Sequence, residues 1–447
     1  MTPPSATPAR ELARVLTLRD IVVIVVGAVI GSGIYIVPAA VLAQTGTHPG
    51  TALVVWAAGG ALSLLGALTY AELAAMDPSA GGLYVYVRDA FGRLPAFLFG
   101  WTLFFVIGSG GLATLAVAAA GYSGQFVSLG PLGKRAVSVA LIAVVTAINV
   151  LGTKRSAGVQ AWTTALKVGA ILAMSAALIA GGDGLGGAET RWWPSSVSLE
   201  LLSSAGVAMV AVLWAFEGWQ YVANSAGEAV NPQRTMPWGL VIGTAALVTI
   251  YLLANVAYIA ALGPVAAARS DRVAAEATAT ILGTGAGKII AAVIIVSMFS
   301  AANGLVLTIP RAFFVMARDG VFFRRLAEVH PRFGTPALAV IAQSAWAIVL
   351  AVTGTFEQLF TYVIFAGWIF YALTAMSVFV FRRTRPEAVR PFRVPGYPWT
   401  PVLFVAAALA LVVNTLIRQP FEALVGLGIV MLGTPVFAWW RRPPKVR

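Results

Sequence analysis

The chain has 447 residues, 59% of them hydrophobic and 11% charged, with a mean hydropathy of +0.86. Soluble domains carry about 25% charged residues, so a soluble enzyme, a disordered chain and a secreted disulfide scaffold are excluded; cysteine is absent, which removes thiol chemistry. The net charge of +13 would suggest nucleic acid for a soluble domain, but in a lipid-embedded chain it marks loops rich in Lys and Arg, and no nucleic-acid partner is expected.

Crossing the hydrocarbon core takes about 20 apolar residues. A polar start, 1–20, holds Arg10, Arg14 and Arg19 and reads as a cytoplasmic segment. The apolar stretch behind it is too long for a signal-peptide core and lacks a cleavage site, so it counts as the first span. Breaks at charges and Pro/Gly clusters give twelve spans: 21–43, 52–76, 95–127, 136–151, 158–181, 202–227, 239–263, 286–316, 336–353, 357–381, 400–417 and 421–440. The expected fold is an all-α integral membrane protein. The stretches 182–200 and 264–285 look like connectors, and 441–447 is a cytoplasmic tail.

Charge tests this order. With the N-terminus in the cytoplasm, the outer loops hold seven cations, Lys134, Arg135, Arg191, Arg269, Arg272, Lys288 and Arg418. Lys167 falls inside a span, and the rest of the 30 Lys and Arg lie inside. That asymmetry favours both termini in the cytoplasm and an even number of spans in the cytoplasmic (inner) membrane. The pair Lys134 and Arg135 runs against it.

Two spans contain sequences that weaken a helix. The first reads Gly27-Ala28-Val29-Ile30-Gly31-Ser32-Gly33-Ile34-Tyr35. Each glycine costs a helix about 1 kcal/mol relative to Ala, and bare backbone admits a ligand; small residues also serve close helix packing. The sixth reads Trp214-Ala215-Phe216-Glu217-Gly218-Trp219-Gln220-Tyr221. A charge at mid-bilayer costs about 2.5–3.5 kcal/mol on insertion scales, so Glu217 implies a partner or a wet cavity. Interrupted first and sixth spans are what an inverted repeat of five plus five would produce, with 21–181 and 202–381 as repeats and 400–440 as two further spans. A half-helix N-terminus suits a carboxylate and a half-helix C-terminus an ammonium, so a zwitterionic amino acid fits both.

Lys167 lies deep in the fifth span, beyond easy snorkelling, where its charged form needs compensation. In the eighth span Ser297, Ser300 and Asn303 are helically spaced and could supply oxygens or simply join helices. The histidines, His48 and His330, fall in loops; no metal or cofactor is expected. The stretch Gly283-Thr284-Gly285-Ala286-Gly287-Lys288 fails as a phosphate loop, because Leu282 and Ile289 stand where Gly and Ser or Thr are required. The run from Arg382 to Arg393 reads as a solvated loop facing lipid phosphates, and Glu72 and Arg88 as candidates for inner contacts.

Further marks accompany the two glycine-rich spans: Tyr70-Ala71-Glu72-Leu73, then Pro78, Gly81-Gly82, Tyr84 and Tyr86; Asn149-Val150-Leu151-Gly152 leading to Gln160 and Lys167; Glu228 and Asn231-Pro232. Met316-Ala317-Arg318-Asp319-Gly320, Val329-His330-Pro331, Thr335-Pro336 and Pro391-Phe392-Arg393-Val394-Pro395-Gly396-Tyr397-Pro398 complete the series. In this order and spacing, from about residue 18 to 400, the chain resembles the amino acid–polyamine–organocation (APC) permeases, in particular bacterial relatives of the L-type amino acid transporters.

The resemblance implies a LeuT-like fold with discontinuous first and sixth spans. The backbone around Gly31, Ser32 and Gly33 would hold the substrate carboxylate, with Ile34 beside them as a further substrate-binding candidate. Carbonyls near Ile30 and Phe216 would take its amino group, while Phe216 and Trp219 shape or gate the pocket; Glu217 and Gly218 complete the substrate-binding candidates. It also places Lys167 where sodium-coupled relatives bind a cation, bridging the first span to the eighth. Gly227-Glu228 departs from the glutamate pair of many relatives, and Glu217 stands where residue type varies. The reading is therefore a secondary transporter of L-amino acids, with a neutral one favoured, working by exchange or proton linkage without sodium. A cationic amino acid or polyamine permease with Glu217 as counter-charge is one alternative. A receptor or accessory subunit that binds without transport is another.

Overall fold

The computed structural model describes residues 11–187, 190–354, 356–418 and 420–440, with backbone alone at 356–364, 418 and 422. The start 1–10 and the tail 441–447, with Arg10, Arg441, Arg442, Lys445 and Arg447, lie outside the described residues. Among the described residues the secondary structure is helical, apart from one isolated bridge between Leu16 and Ala229.

Helix α1 (Leu18–Val29) begins at a capping box: Asp20 Oδ2 accepts from Thr17 N at 2.8 Å, and Thr17 Oγ1 from Asp20 N at 3.4 Å. Such a cap is worth about 1 kcal/mol. The helix stops where Ile30 turns to ψ 89°, and α2 (Gly33–Gln44) leaves at a 50° bend. Helix α3 (Pro49–Met76) crosses next, followed by the short α4 (Gly82–Phe91). Helix α5 (Arg93–Thr102) runs through a π-turn (Leu103–Gly108) into α6 (Ser109–Ser123). Then come α7 (Pro131–Val150) and α8 (Thr153–Gly181). Helix α9 (Leu199–Ala215) ends at Phe216, Gly218 adopts φ +127°, and a 3-10 segment (Trp219–Glu228) carries the chain on. Helix α10 (Pro232–Arg269) kinks at Gly263, and α11 (Val273–Leu282), α12 (Thr284–Thr308), α13 (Pro310–Arg318) and α14 (Ala337–Thr353) follow. Helices α15 (Phe356–Thr384), α16 (Trp399–Arg418) and α17 (Pro420–Trp440) close the described chain.

Among the described residues ten helical stretches are long and apolar enough to cross a membrane, eleven if the bent α1–α2 pair counts as one. The sequence reading expected twelve. The difference is α14, which has 17 residues; at 1.5 Å per residue it is about 25 Å long, short of a core of about 30 Å. The stretch 264–285, expected to be a connector, contains α11, whose Val273, Ala274 and Ala277 are buried. Its Ala-rich, weakly patterned sequence hides a helix that packs on α10 and α12. The segment after α3 likewise folds as α4 and buries Leu83 through Val87.

The two interruptions meet in the interior. A Cβ on Gly33 would lie 2.7 Å from Ala215 Cα, and one on Gly218 3.1 Å from the Ala28 carbonyl oxygen. The turns of α1–α2 and α9 therefore touch backbone to backbone, which only glycine allows. Changing Gly33 to alanine is expected to push the half-helices apart by tenths of an ångström. Amino acid uptake then falls by about tenfold while membrane insertion persists, as read by flux per folded molecule in proteoliposomes.

Candidate functional site

Ending a helix in mid-protein leaves carbonyls at one end and N–H groups at the other without intrahelical partners. At the end of α1 these carbonyls are taken up. Lys167 Nζ, from α8 and wholly buried, donates to Gly27 O at 2.7 Å and Ile30 O at 2.6 Å. Ser297 Oγ, from α12, lies 2.9 Å from Ile30 O and 3.2 Å from Gly31 O. Tyr251, from α10, sets its hydroxyl 2.9 Å from Ala215 O and 3.3 Å from Val29 O, so one side chain serves both broken helices. Tyr251 was not singled out in the sequence, where it looked like one aromatic residue of a long apolar span.

A cavity of about 40 Å³ lies between the breaks, lined by Gly31, Ser32, Gly33, Trp214, Glu217 and Tyr221 among others. That is room for about three waters at roughly 10–15 Å³ each, so the space between the breaks is narrow. Of the residues expected to bind substrate, Gly31, Ser32, Gly33 and Glu217 face this space. Ile30, Ile34, Phe216, Gly218 and Trp219 stand behind it. The Ile30 carbonyl already accepts from Lys167 and Ser297, which fills both lone pairs, so it is not free for a substrate ammonium. The Phe216 ring packs on Tyr251 at 4.9 Å and on Trp56 at 6.0 Å, and Trp219 packs on Tyr70 at 5.2 Å and Phe404 at 6.3 Å. These aromatics wall the break from outside the cavity.

The oxygens of α12 divide. Ser297 joins the Lys167 site. Ser300 instead lies 2.9 Å from Thr163 Oγ1, and Asn303 bonds to Asn149, Ser156 and Gln160 at 2.7–3.3 Å. They form a buried polar seam joining α7, α8 and α12. Lys167 itself bonds directly to the first span and shares the Ile30 carbonyl with Ser297 of α12.

Glu217 gathers three partners around one oxygen. Gln220 Nε2 reaches Oε1 at 2.8 Å, Tyr221 Oη at 2.7 Å, and Tyr371 Oη, from α15, bonds there as well. Only Tyr221 and Gln220 could have been read as neighbours from local spacing; Tyr371 is 154 positions away.

On the face that the sequence assigns to the cytoplasm, charges pair. Glu228 and Arg311 are fully buried, with Arg311 Nε 2.6 Å from Oε2 and Nη2 3.1 Å from Oε1. Arg311, counted in the sequence among the inside cations, is carried by α13 into the protein interior. Glu72 and Arg88, expected as inner contacts, do not meet. Glu72 takes Arg382 at 2.6 and 2.9 Å and the Val394 N–H at 2.7 Å, while Arg88 takes Asp319 at 2.7 Å. The Arg382 to Arg393 run is therefore partly pinned and not simply solvated; Arg390 also lies 3.5 Å from Glu72. Burial raises the Tyr84 hydroxyl well above its usual range, and Asp319 adds to this. Burial opposes the Arg88 guanidinium, yet bonds from Asp319 and Asp89 hold it above its ordinary value.

With this geometry in view, the comparisons with known proteins agree. A family model described as amino acid permease matches residues 16–432. The chain belongs to this family. It is 30% identical to the serine/threonine exchanger SteT of Bacillus subtilis (strain 168), over 96% of this chain and 98% of the relative. It is 32% identical to the b(0,+)-type amino acid transporter 1 of Mus musculus, over 92% and 84%. It is 30% identical to the cystine/glutamate transporter of Homo sapiens, over 97% and 87%. These relatives are transporters and exchangers, not enzymes. The permease is a multi-pass membrane protein, and the relatives support amino acid transport as its function.

Proposed function

We propose that this permease moves an L-amino acid across the cell membrane by alternating access, with both termini in the cytoplasm. Residues 21–181 and 202–381 act as inverted repeats, and 400–440 add two spans. The observation that carries the reading is the meeting of α1–α2 with α9 around a narrow cavity, where the N-terminal end of α2, which no side chain caps, suits a carboxylate. The carboxylate sits against Gly31, Ser32 and Gly33; the ammonium lies on the side of Ala28, Val29 and Ala215, not on Ile30. Lys167 occupies the place of a coupling cation and makes sodium unnecessary, so transport runs by exchange or proton linkage. Small neutral amino acids fit the narrow cavity best.

Glu217 on the cavity wall favours a second reading, in which a cationic amino acid or polyamine places its charge there. A competition screen of amino acids and polyamines in proteoliposomes, with and without internal substrate, separates the two. Displacement of labelled alanine by neutral amino acids alone supports the first. Displacement by arginine or putrescine alone supports the second. Binding without flux under every condition overturns both in favour of a receptor or accessory role. Stimulation by sodium counts against Lys167 as the cation.

A further inference from the structure

The oxygens around Glu217 count their own protons. Glu217 Oε1, Tyr221 Oη and Tyr371 Oη form a triangle in which every pair is within hydrogen-bond reach: Tyr221 Oη is 2.7 Å from Oε1 and 2.6 Å from Tyr371 Oη, and Tyr371 Oη bonds Oε1. Each close oxygen pair needs a hydrogen between its members. Two phenols supply two hydrogens. With an ionised carboxylate one pair is left bare, two oxygens facing each other without a proton. With a carboxyl group the third hydrogen is present: Glu217 donates to one tyrosine, that tyrosine to the other, and the last back to Oε1. The N–H of Gln220, at 2.8 Å, takes the remaining lone pair.

We propose that Glu217 is a proton-binding site closed by Tyr221 and Tyr371, and that one positive charge occupies it in each closed state: a proton beside a neutral amino acid, or the side-chain cation of a dibasic one. The proposal rests on the reading of the chain as an amino acid transporter and names its coupling ion. The proton sits on a carboxyl oxygen. When α15 withdraws Tyr371, the O–H bond breaks, the electron pair stays on the carboxylate, and the proton passes to water on the open side.

The surroundings supply no competing charge among the described residues. Tyr221 is on the same segment. From α3 Tyr70 gives its hydroxyl to the Tyr371 carbonyl at 2.9 Å, which ties α15 in place. Tyr251 of α10 serves Ala215 and Val29. Lys167 of α8 is spent on Gly27 and Ile30. The cavity walls from α6 and α12 are glycine and apolar side chains. A cationic group entering the cavity meets Glu217 as the nearest carboxylate on its lining.

The test uses purified full-length protein in proteoliposomes holding a pH-sensitive dye, with labelled alanine or lysine as substrate. Alanine entry is expected to acidify the interior in proportion to uptake, and lysine entry to leave it unchanged. In Glu217→Gln, whatever alanine flux remains is expected to carry no proton, and lysine uptake to be lost. Tyr371→Phe leaves two oxygens that one hydrogen satisfies, so alanine uptake should fall off at more acidic pH than in the wild type; this variant decides the matter if Glu217→Gln carries no flux. Acidification that persists in Glu217→Gln, or a pH profile unmoved in Tyr371→Phe, overturns the proposal. Absence of flux with any amino acid in the wild type overturns the transporter reading instead.

Discussion

Replacing Lys167 with alanine is expected to reduce uptake by about a hundredfold while leaving a folded protein that still binds substrate. The ammonium ties two carbonyls at the end of α1, Gly27 O and Ile30 O. Net hydrogen bonds from a charged donor contribute about 1.5–3 kcal/mol each, so the pair is worth about 3–6 kcal/mol. Even the lower value corresponds to about two decades in an equilibrium. Ser297 can keep hold of Ile30 O in the variant, but Gly27 O loses its side-chain partner. The break then no longer has one defined geometry against α8. Binding and flux, each normalised to folded protein, separate this from unfolding: retained affinity with lost flux is the expected pattern. Wild-type flux between pH 5 and pH 8 would remove Lys167 from the mechanism.

That Lys167 would need partners was legible from depth alone, because a lysine in the middle of an apolar run needs oxygens close by. Which oxygens it would find was less legible. The break at Gly31-Ser32-Gly33 was readable because glycine and serine weaken a helix locally, and the same holds for Phe216-Glu217-Gly218. Side-chain direction was not. Phe216 and Trp219 were expected at the substrate and instead pack outward on Trp56, Tyr251, Tyr70 and Phe404. Nearly all positions in such spans are apolar, so no period says which face meets which neighbour. The partner of Glu217 on α15 was invisible for the same reason, since contact across 154 positions leaves no local trace. The Ser297, Ser300 and Asn303 spacing did mark one buried stripe of α12, but a stripe about two turns long meets different neighbours along its length. Its first oxygen reaches the break and its last reaches Asn149.

Arg311 shows where charge arithmetic misleads and where the second large effect is expected. It stood in the sequence as one more basic residue near a span end, yet its side chain is fully buried and closes on Glu228 from α13. Thr153 Oγ1 donates to Glu228 Oε1 at 2.7 Å and accepts from Arg311 Nη2 at 2.9 Å. The Glu228 carbonyl accepts the N–H groups of Val15 and Leu16 at 2.8 and 2.9 Å. One residue thus binds the segment before α1, the start of α8, the end of the 3-10 segment and α13. Removing one partner of a buried ion pair costs about 3–5 kcal/mol, because the other charge stays behind in a poor solvent. Arg311→Ala and Glu228→Ala are each expected to lower the thermal unfolding midpoint in detergent sharply. Arg311→Met combined with Glu228→Leu removes both charges at similar volume and is expected to recover most of that loss. Recovery without flux would mean that the pair also has to open and close during transport. Recovery of both stability and flux would confine it to holding the fold, and midpoints unchanged in the single variants would contradict the burial of this pair.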